Sequence, residues 1–241
     1  MIPDNLQAVR ARIETACAQA GRPVHDVTLL AVSKTFGADA VQAAFDAGQT
    51  AFGENYIQEA VEKIALLRHL PITWHCIGPI QSNKTRLVAE NFDWVHSVDR
   101  LKIAERLSEQ RPAHLPPLQI CIQINIDGEA SKSGVAPADV EALAAQVALL
   151  PRLQLRGLMC IPENTTELIA SKLSFTRAKA IFEQINASKL PNSPKINSEV
   201  NVLTLDTLSM GMTADLEAAI GCGSTMVRVG TAIFGARSKA A

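Results

Sequence analysis

Long apolar runs are missing from this chain. No stretch approaches the 18 residues that a membrane-spanning helix needs, so no span is expected. The amino-terminal segment, MIPDNLQAVRARIETACAQAG, interleaves acidic and basic residues and has no apolar signal core. An excess of one charge is missing too. With 23 Lys and Arg against 24 Asp and Glu, the formal net charge is −1. A partner with a phosphate backbone, which calls for a basic patch, is therefore not expected, although a local anion site stays open. The five cysteines are odd in number, widely spaced and without a C-x-x-C pair; most sit in apolar runs. They are expected to be reduced thiols serving as small hydrophobes in a cytoplasmic protein. The common phosphate-binding signatures are absent as well. There is no G-x-x-x-x-G-K-[ST], and the nearest approach to a dinucleotide fingerprint, GCGSTM at 221–226, ends in Met226 and precedes a strand. No internal repeat or low-complexity segment is found.

What the chain does have is alternation. Eight segments read as strands: 27–34, 50–55, 73–78, 94–98, 118–126, 153–161, 205–211 and 226–235. Several are almost continuously apolar, as strands buried on both faces of a parallel sheet are. Between them lie stretches with helical period. Residues 5–20 put Leu6, Val9, Ile13 and Cys17 on one face and stop at Gly21; 57–67 carry a second stripe ended by Pro71. Residues 100–109, 137–150 and 166–186 continue the pattern, 83–90 more weakly, and 213–221 opens with Thr213 as the expected N-cap. The polar stretch 187–204, with two prolines, reads as a long surface connection. Eight strands alternating with helices over 241 residues predict an α/β fold, a single (β/α)8 TIM barrel spanning 1–241, because such barrels typically run to about 250 residues. A doubly wound sheet is the alternative.

Barrel active sites are built at the carboxyl ends of the strands. The first strand ends at Lys34. The second ends in Glu54, Asn55 and Tyr56, and the third contains His75 and runs into a loop with Lys84 and Arg86. Taken singly, each has a bland reading: His75 as a core histidine, Lys84 and Arg86 as a solvated loop, Asp127, Glu129 and Lys132 as a turn. Arg228 inside MVRVG is harder to dismiss, because a guanidinium in an apolar strand must face a partner or a ligand. The small residues at 209–211 and in GTA at 230–232 follow the seventh and eighth strands, where barrels often hold phosphate. A lysine, an interior arginine and a phosphate cup across the barrel together point to pyridoxal 5'-phosphate (PLP), whose aldehyde forms a Schiff base with lysine.

The segments LLAVSKT, FGENYIQE, HCIGPIQSNK, IQINIDGEASKSGV, LRGLMCIP, LSMGMTADLEAAI and GSTMVRVGTAIFGAR closely resemble the pyridoxal phosphate homeostasis protein family. The likeness runs in order through nearly the whole chain outside 163–204. It implies a barrel like the N-terminal domain of alanine racemase, without that enzyme's C-terminal β-domain. It implies Lys34 as the Schiff-base lysine. Ser209, Gly230 and Thr231 are implied to hold the phosphate with help from the Met210 backbone, Arg228 to approach the pyridine nitrogen, and Asn55 to lie near the ring. His75, Met159 and Tyr56 are further candidates for the pocket wall. The resemblance also implies a PLP carrier in vitamin B6 and amino-acid homeostasis, with no robust turnover, serving apo PLP enzymes as a monomer.

The other reading, from a different class, is an amino-acid racemase. A two-base racemase needs a second base opposite the lysine, which in alanine racemase is a tyrosine from the partner's β-domain. This chain ends soon after its eighth strand, and its single tyrosine is Tyr56. A fixed cation beside the ring nitrogen also weakens the ring as an electron sink, which argues against transaminase-like chemistry. The carrier is the expectation.

Overall fold

Eight parallel strands close on themselves in sequence order, and that closure is what gives the chain a mouth and an interior. The computed structural model describes residues 1–129, 132–162, 168–192 and 202–236. The strands are β1 (Thr28–Val32), β2 (Ala51–Glu54), β3 (Thr73–Cys76), β4 (Trp94–Val98), β5 (Leu118–Ile124), β6 (Leu153–Cys160), β7 (Thr207–Ser209) and β8 (Met226–Val229). The helices are α1 (Ile2–Gln19), α2 (Ala38–Asp46), α3 (Ile57–Leu66), α4 (Thr85–Asn91), α5 (Leu101–Gln110), α6 (Val140–Val147), α7 (Leu168–Ala187), α8 (Leu216–Gly221) and α9 (Thr231–Phe234). β1 pairs with β8 in parallel, with Leu30 beside Arg228, so the doubly wound alternative is excluded.

The apolar strand runs have the reason expected of them. Leu118, Ile120, Cys121, Ile122 and Ile124 on β5 are all buried, since one face meets the lumen and the other the helix layer. Each helix turns one stripe to the barrel: on α1, Leu6, Val9, Ile13 and Cys17 are buried, as their spacing predicts. α1 also ties the ring shut from outside. Arg12 makes a two-pronged ion pair with Glu217 (2.7 and 3.0 Å), Asn5 donates to the Ile233 carbonyl, and Arg22 donates to the carbonyls of Ile220 and Ser224.

Three local readings change. The segment 226–235 is not one strand: it ends at Val229, and Thr231–Phe234 is helical, with the N–H groups of Ile233 and Phe234 donating to the Gly230 carbonyl. Thr213 does not cap the following helix. That helix begins at Leu216 with Asp215 at its N-cap, and the Asp215 carboxylate accepts from the Met212 N–H at 2.6 Å. The weak 83–90 stretch is a 3-10 turn over Ser82–Lys84 followed by α4. In the connection expected at 187–204, residues 193–201 lie outside the described residues.

Candidate functional site at the barrel mouth

Lys34 stands two residues beyond the end of β1, half-buried, on the wall of a cavity of about 250 Å³ at the carboxyl end of the barrel. The backbone that carries it is held from both sides. On one side, the Ser33 hydroxyl donates to Glu54 Oε1 at 2.6 Å, and the Ser33 carbonyl accepts from Lys63 Nζ at 3.0 Å. On the other side Thr35 is left-handed, with φ 69°, a conformation costly for a β-branched residue. Its N–H donates to Glu59 Oε1 at 2.8 Å. Lys63 joins the two halves: its ammonium lies 2.6 Å from Glu54 and 3.1 Å from Glu59. Glu59 and Lys63, four residues apart on α3, present both groups on one helical face. Glu54 is fully buried and Lys63 only 4% exposed. Burial pushes the Glu54 carboxyl above its ordinary range, although the Lys63 charge pulls it down.

Arg228, on β8, faces the same cavity from below and is 4% exposed. Its Nη1 donates to the Ser209 carbonyl at 2.7 Å and to Ser209 Oγ at 2.8 Å, and its Nη2 to the Cys160 carbonyl at 2.9 Å. Among the described residues no carboxylate forms an ion pair with it. Behind Ser209, His96 Nδ1 lies 3.0 Å from the hydroxyl, and His96 Nε2 lies 2.9 Å from His75 Nδ1. Since β4 and β7 are not neighbours, this contact crosses the lumen. Both rings are buried away from water. Burial lowers the His75 imidazole to about 3 and holds His96 well below its usual value, helped by His75 and Arg228. Both are therefore neutral at physiological pH.

Of the residues read from the sequence, the structure brings Lys34, Asn55, Arg228, Gly230 and Thr231 onto one cavity wall. Asn55 lines the cavity, and its Oδ1 is buried with no hydrogen-bond partner among the described residues. Ser209 and Met210 are not on that wall. Ser209 is fully buried one layer down and turned to Arg228, while the Met210 N–H is committed to the Met226 carbonyl at 3.1 Å. His75 lies deeper still, Met159 is buried off the cavity, and Tyr56 is 55% exposed at the start of α3.

The hydroxyl that does reach the mouth is Thr213, which sequence reasoning missed as a site residue. Its Oγ1 sits 3.4 Å from that of Thr231, and both line the cavity. Its signal was its place four residues beyond β7. Phe36, Ile77, Ile161 and Met212 add apolar wall. Through Asn55, Ile77 and Ile161 the cavity adjoins a second lobe of about 220 Å³ reaching to Gln123, Asn125 and Lys132. Together they reach the roughly 300–1,000 Å³ of ordinary small-ligand sites. The floor at Gly230 is tight: a Cβ there would stand 3.2 Å from the Val32 carbonyl oxygen.

The model of the alanine racemase N-terminal domain matches residues 5–238. Among curated proteins, the chain is 58% identical over 236 residues to the pyridoxal phosphate homeostasis protein of Pseudomonas aeruginosa, covering 98% of this chain and 96% of that one. It is 52% identical over 239 residues to the protein of the same name in Escherichia coli K12, covering 98% and 97%. Among solved structures, PipY of Synechococcus elongatus with PLP bound superposes with a TM-score of 0.82 at 35% identity, over 98% of this chain and 100% of that one. Alanine racemase of Clostridium difficile superposes with a TM-score of 0.69 at 13% identity, over 95% of this chain and 56% of that one, a likeness of fold alone.

Proposed function

This chain belongs to the alanine racemase N-terminal-domain family and, within it, to the pyridoxal phosphate homeostasis proteins; from that premise and from its cavity we propose that it binds PLP through a Schiff base with Lys34 and buffers it for apo PLP enzymes, without robust turnover of its own. One observation carries the reading: an amine (Lys34), a guanidinium with no carboxylate paired to it among the described residues (Arg228) and an amide side chain (Asn55) meet in one small cavity. A bound PLP supplies an aldehyde to the amine, an aromatic nitrogen and a dianionic phosphate, and each has a complement here.

Lys34 is offered to the cavity on a loop whose residues Ser33 and Thr35 are held by Glu54, Lys63 and Glu59. Arg228 keeps its charge at any physiological pH and can only donate, so an acceptor nitrogen opposite it stays unprotonated. Such a ring is a poor electron sink, which argues against transaminase-like chemistry. The hydroxyls of Thr213 and Thr231 and the small floor at Gly230 suit an anion at the far end. Among the described residues no helix is long and apolar enough to cross a membrane. That the close relatives are named for homeostasis rather than for a reaction supports the carrier reading.

The purified protein is expected to turn yellow with PLP, to trap the label on borohydride reduction, and to lose both behaviours in Lys34→Ala. A wild-type protein that takes up no PLP overturns the binding reading. Rapid appearance of D-alanine from L-alanine, abolished by Lys34→Ala, overturns the carrier reading.

A further inference from the structure

The Arg228 guanidinium is only as well placed as what holds it, and one of its holders is itself held. Arginine has donors and no acceptor, so Ser209 Oγ must accept from Nη1. The single Ser209 hydrogen then has one partner among the described residues, His96 Nδ1 at 3.0 Å. The arrangement that gives this hydrogen an acceptor is the His96 tautomer with hydrogen on Nε2. That hydrogen points to His75 Nδ1 at 2.9 Å, so His75 also carries its hydrogen on Nε2. Every donor in the line Arg228, Ser209, His96, His75 therefore points away from the cation, and every lone pair points toward it. A stack of the His75 ring on Trp94, with centroids 5.2 Å apart and planes at 13°, fixes the far end.

We propose that His96, backed by His75, is a positioning residue that acts through Ser209 to fix the Arg228 guanidinium at the cavity floor. This rests on the reading of the cavity as a PLP site only for its effect on binding; the hydrogen-bond direction stands without it. If the His96 acceptor is lost, the Ser209 hydrogen has no partner among the described residues and the hydroxyl is free to turn. One of the three contacts that aim Arg228 is then loosened, while the Ser209 and Cys160 carbonyls remain.

The test is a mutant cycle read by PLP titration. His96→Leu is expected to weaken PLP binding about tenfold, the scale of one hydrogen bond to a charged group. His96→Asn, which keeps an acceptor facing Ser209, is expected to recover most of that. In an Arg228→Ala background, His96→Leu is expected to cost nothing further. An equal loss in both backgrounds, or wild-type affinity in His96→Leu, overturns the proposal. Where His96→Leu does not fold, Ser209→Ala takes its place in the cycle. A second readout needs no PLP: nitrogen-15 spectra of the histidine rings are expected to show His75 and His96 neutral and protonated on Nε2, with His96 shifting in Arg228→Ala. A ring protonated on Nδ1 overturns the proposal even if PLP binds. A wild-type protein that fails to bind PLP but shows these tautomers fails the PLP reading alone.

Discussion

Lys63 is a charged residue buried behind the loop that carries Lys34, and its worth lies in what it neutralises. Glu54 sits with one oxygen between Ser33 and Lys63 and the other without a partner among the described residues. Removing the ammonium strands a carboxyl group in a place without water. Lys63→Met is therefore expected to lower stability by about 3–5 kcal/mol in urea unfolding. The double change Lys63→Met with Glu54→Leu is expected to recover most of the loss, because it removes the group left behind. If the single variant is as stable as wild type, the cluster does not hold the Lys34 loop. None of this was legible beforehand: a lysine inside an amphipathic helix reads as a solvated residue, and only the packing of α3 against the end of β1 shows otherwise. Lys34 and Arg228 were legible, because charges at the end of, or within, an apolar strand have few places to go.

At the scale of elements, the βα turns determine which residues meet. Gly78, just past β3, lies so close to β2 that an added Cβ would stand 2.3 Å from the Asn55 carbonyl oxygen and 2.8 Å from its Cα. Gly78→Ala is expected to cost about 1–3 kcal/mol, an overpacking penalty, and to weaken PLP retention by displacing Asn55. Gly221→Ala meets nothing within 4 Å, so its melting temperature should match or slightly exceed that of wild type. A harmless Gly78→Ala would remove the close approach from the account. The same turns explain where sequence reasoning stopped. Thr231–Phe234 has the composition of a strand continuing from β8, and nothing local says that Gly230 ends the ladder. Ser209 ends β7 and Thr213 follows four residues later, both as small hydroxyl residues. Which of them turns into the lumen and which reaches the mouth depends on the barrel's curvature and on Arg228 taking one of them.

Across the whole molecule, the architecture was legible because the alternation of strands and helices is global, whereas the lumen chain was not. His75 and His96 each read as one polar residue inside an apolar strand, and only closure of the barrel joins them. Burying two neutral histidines ties stability to pH. The unfolded chain protonates His75 near 6.5, while the folded one resists until about 3. The unfolded state therefore binds more protons between those values, and stability falls as pH drops through that window. Burial raises the carboxyls of Glu54 and Asp93, which pull the other way in its lower part. The histidine share is therefore read by difference: His75→Gln is expected to show a shallower fall in melting temperature from pH 6.5 to 3. An unchanged slope would mean that His75 is not held neutral.

The pairing of β1 with β8 also sets a clock. The ribosome makes β1 early, yet its second neighbour comes some two hundred residues later, and until then one edge of the sheet has no mate. Lys34 follows the first strand and Arg228 belongs to the last, so no incomplete nascent chain contains the cavity. On the function proposed above, capture of a reactive aldehyde would be postponed until synthesis has passed the final strand, and a product cut short before residue 226 keeps its lysine but has no pocket around it.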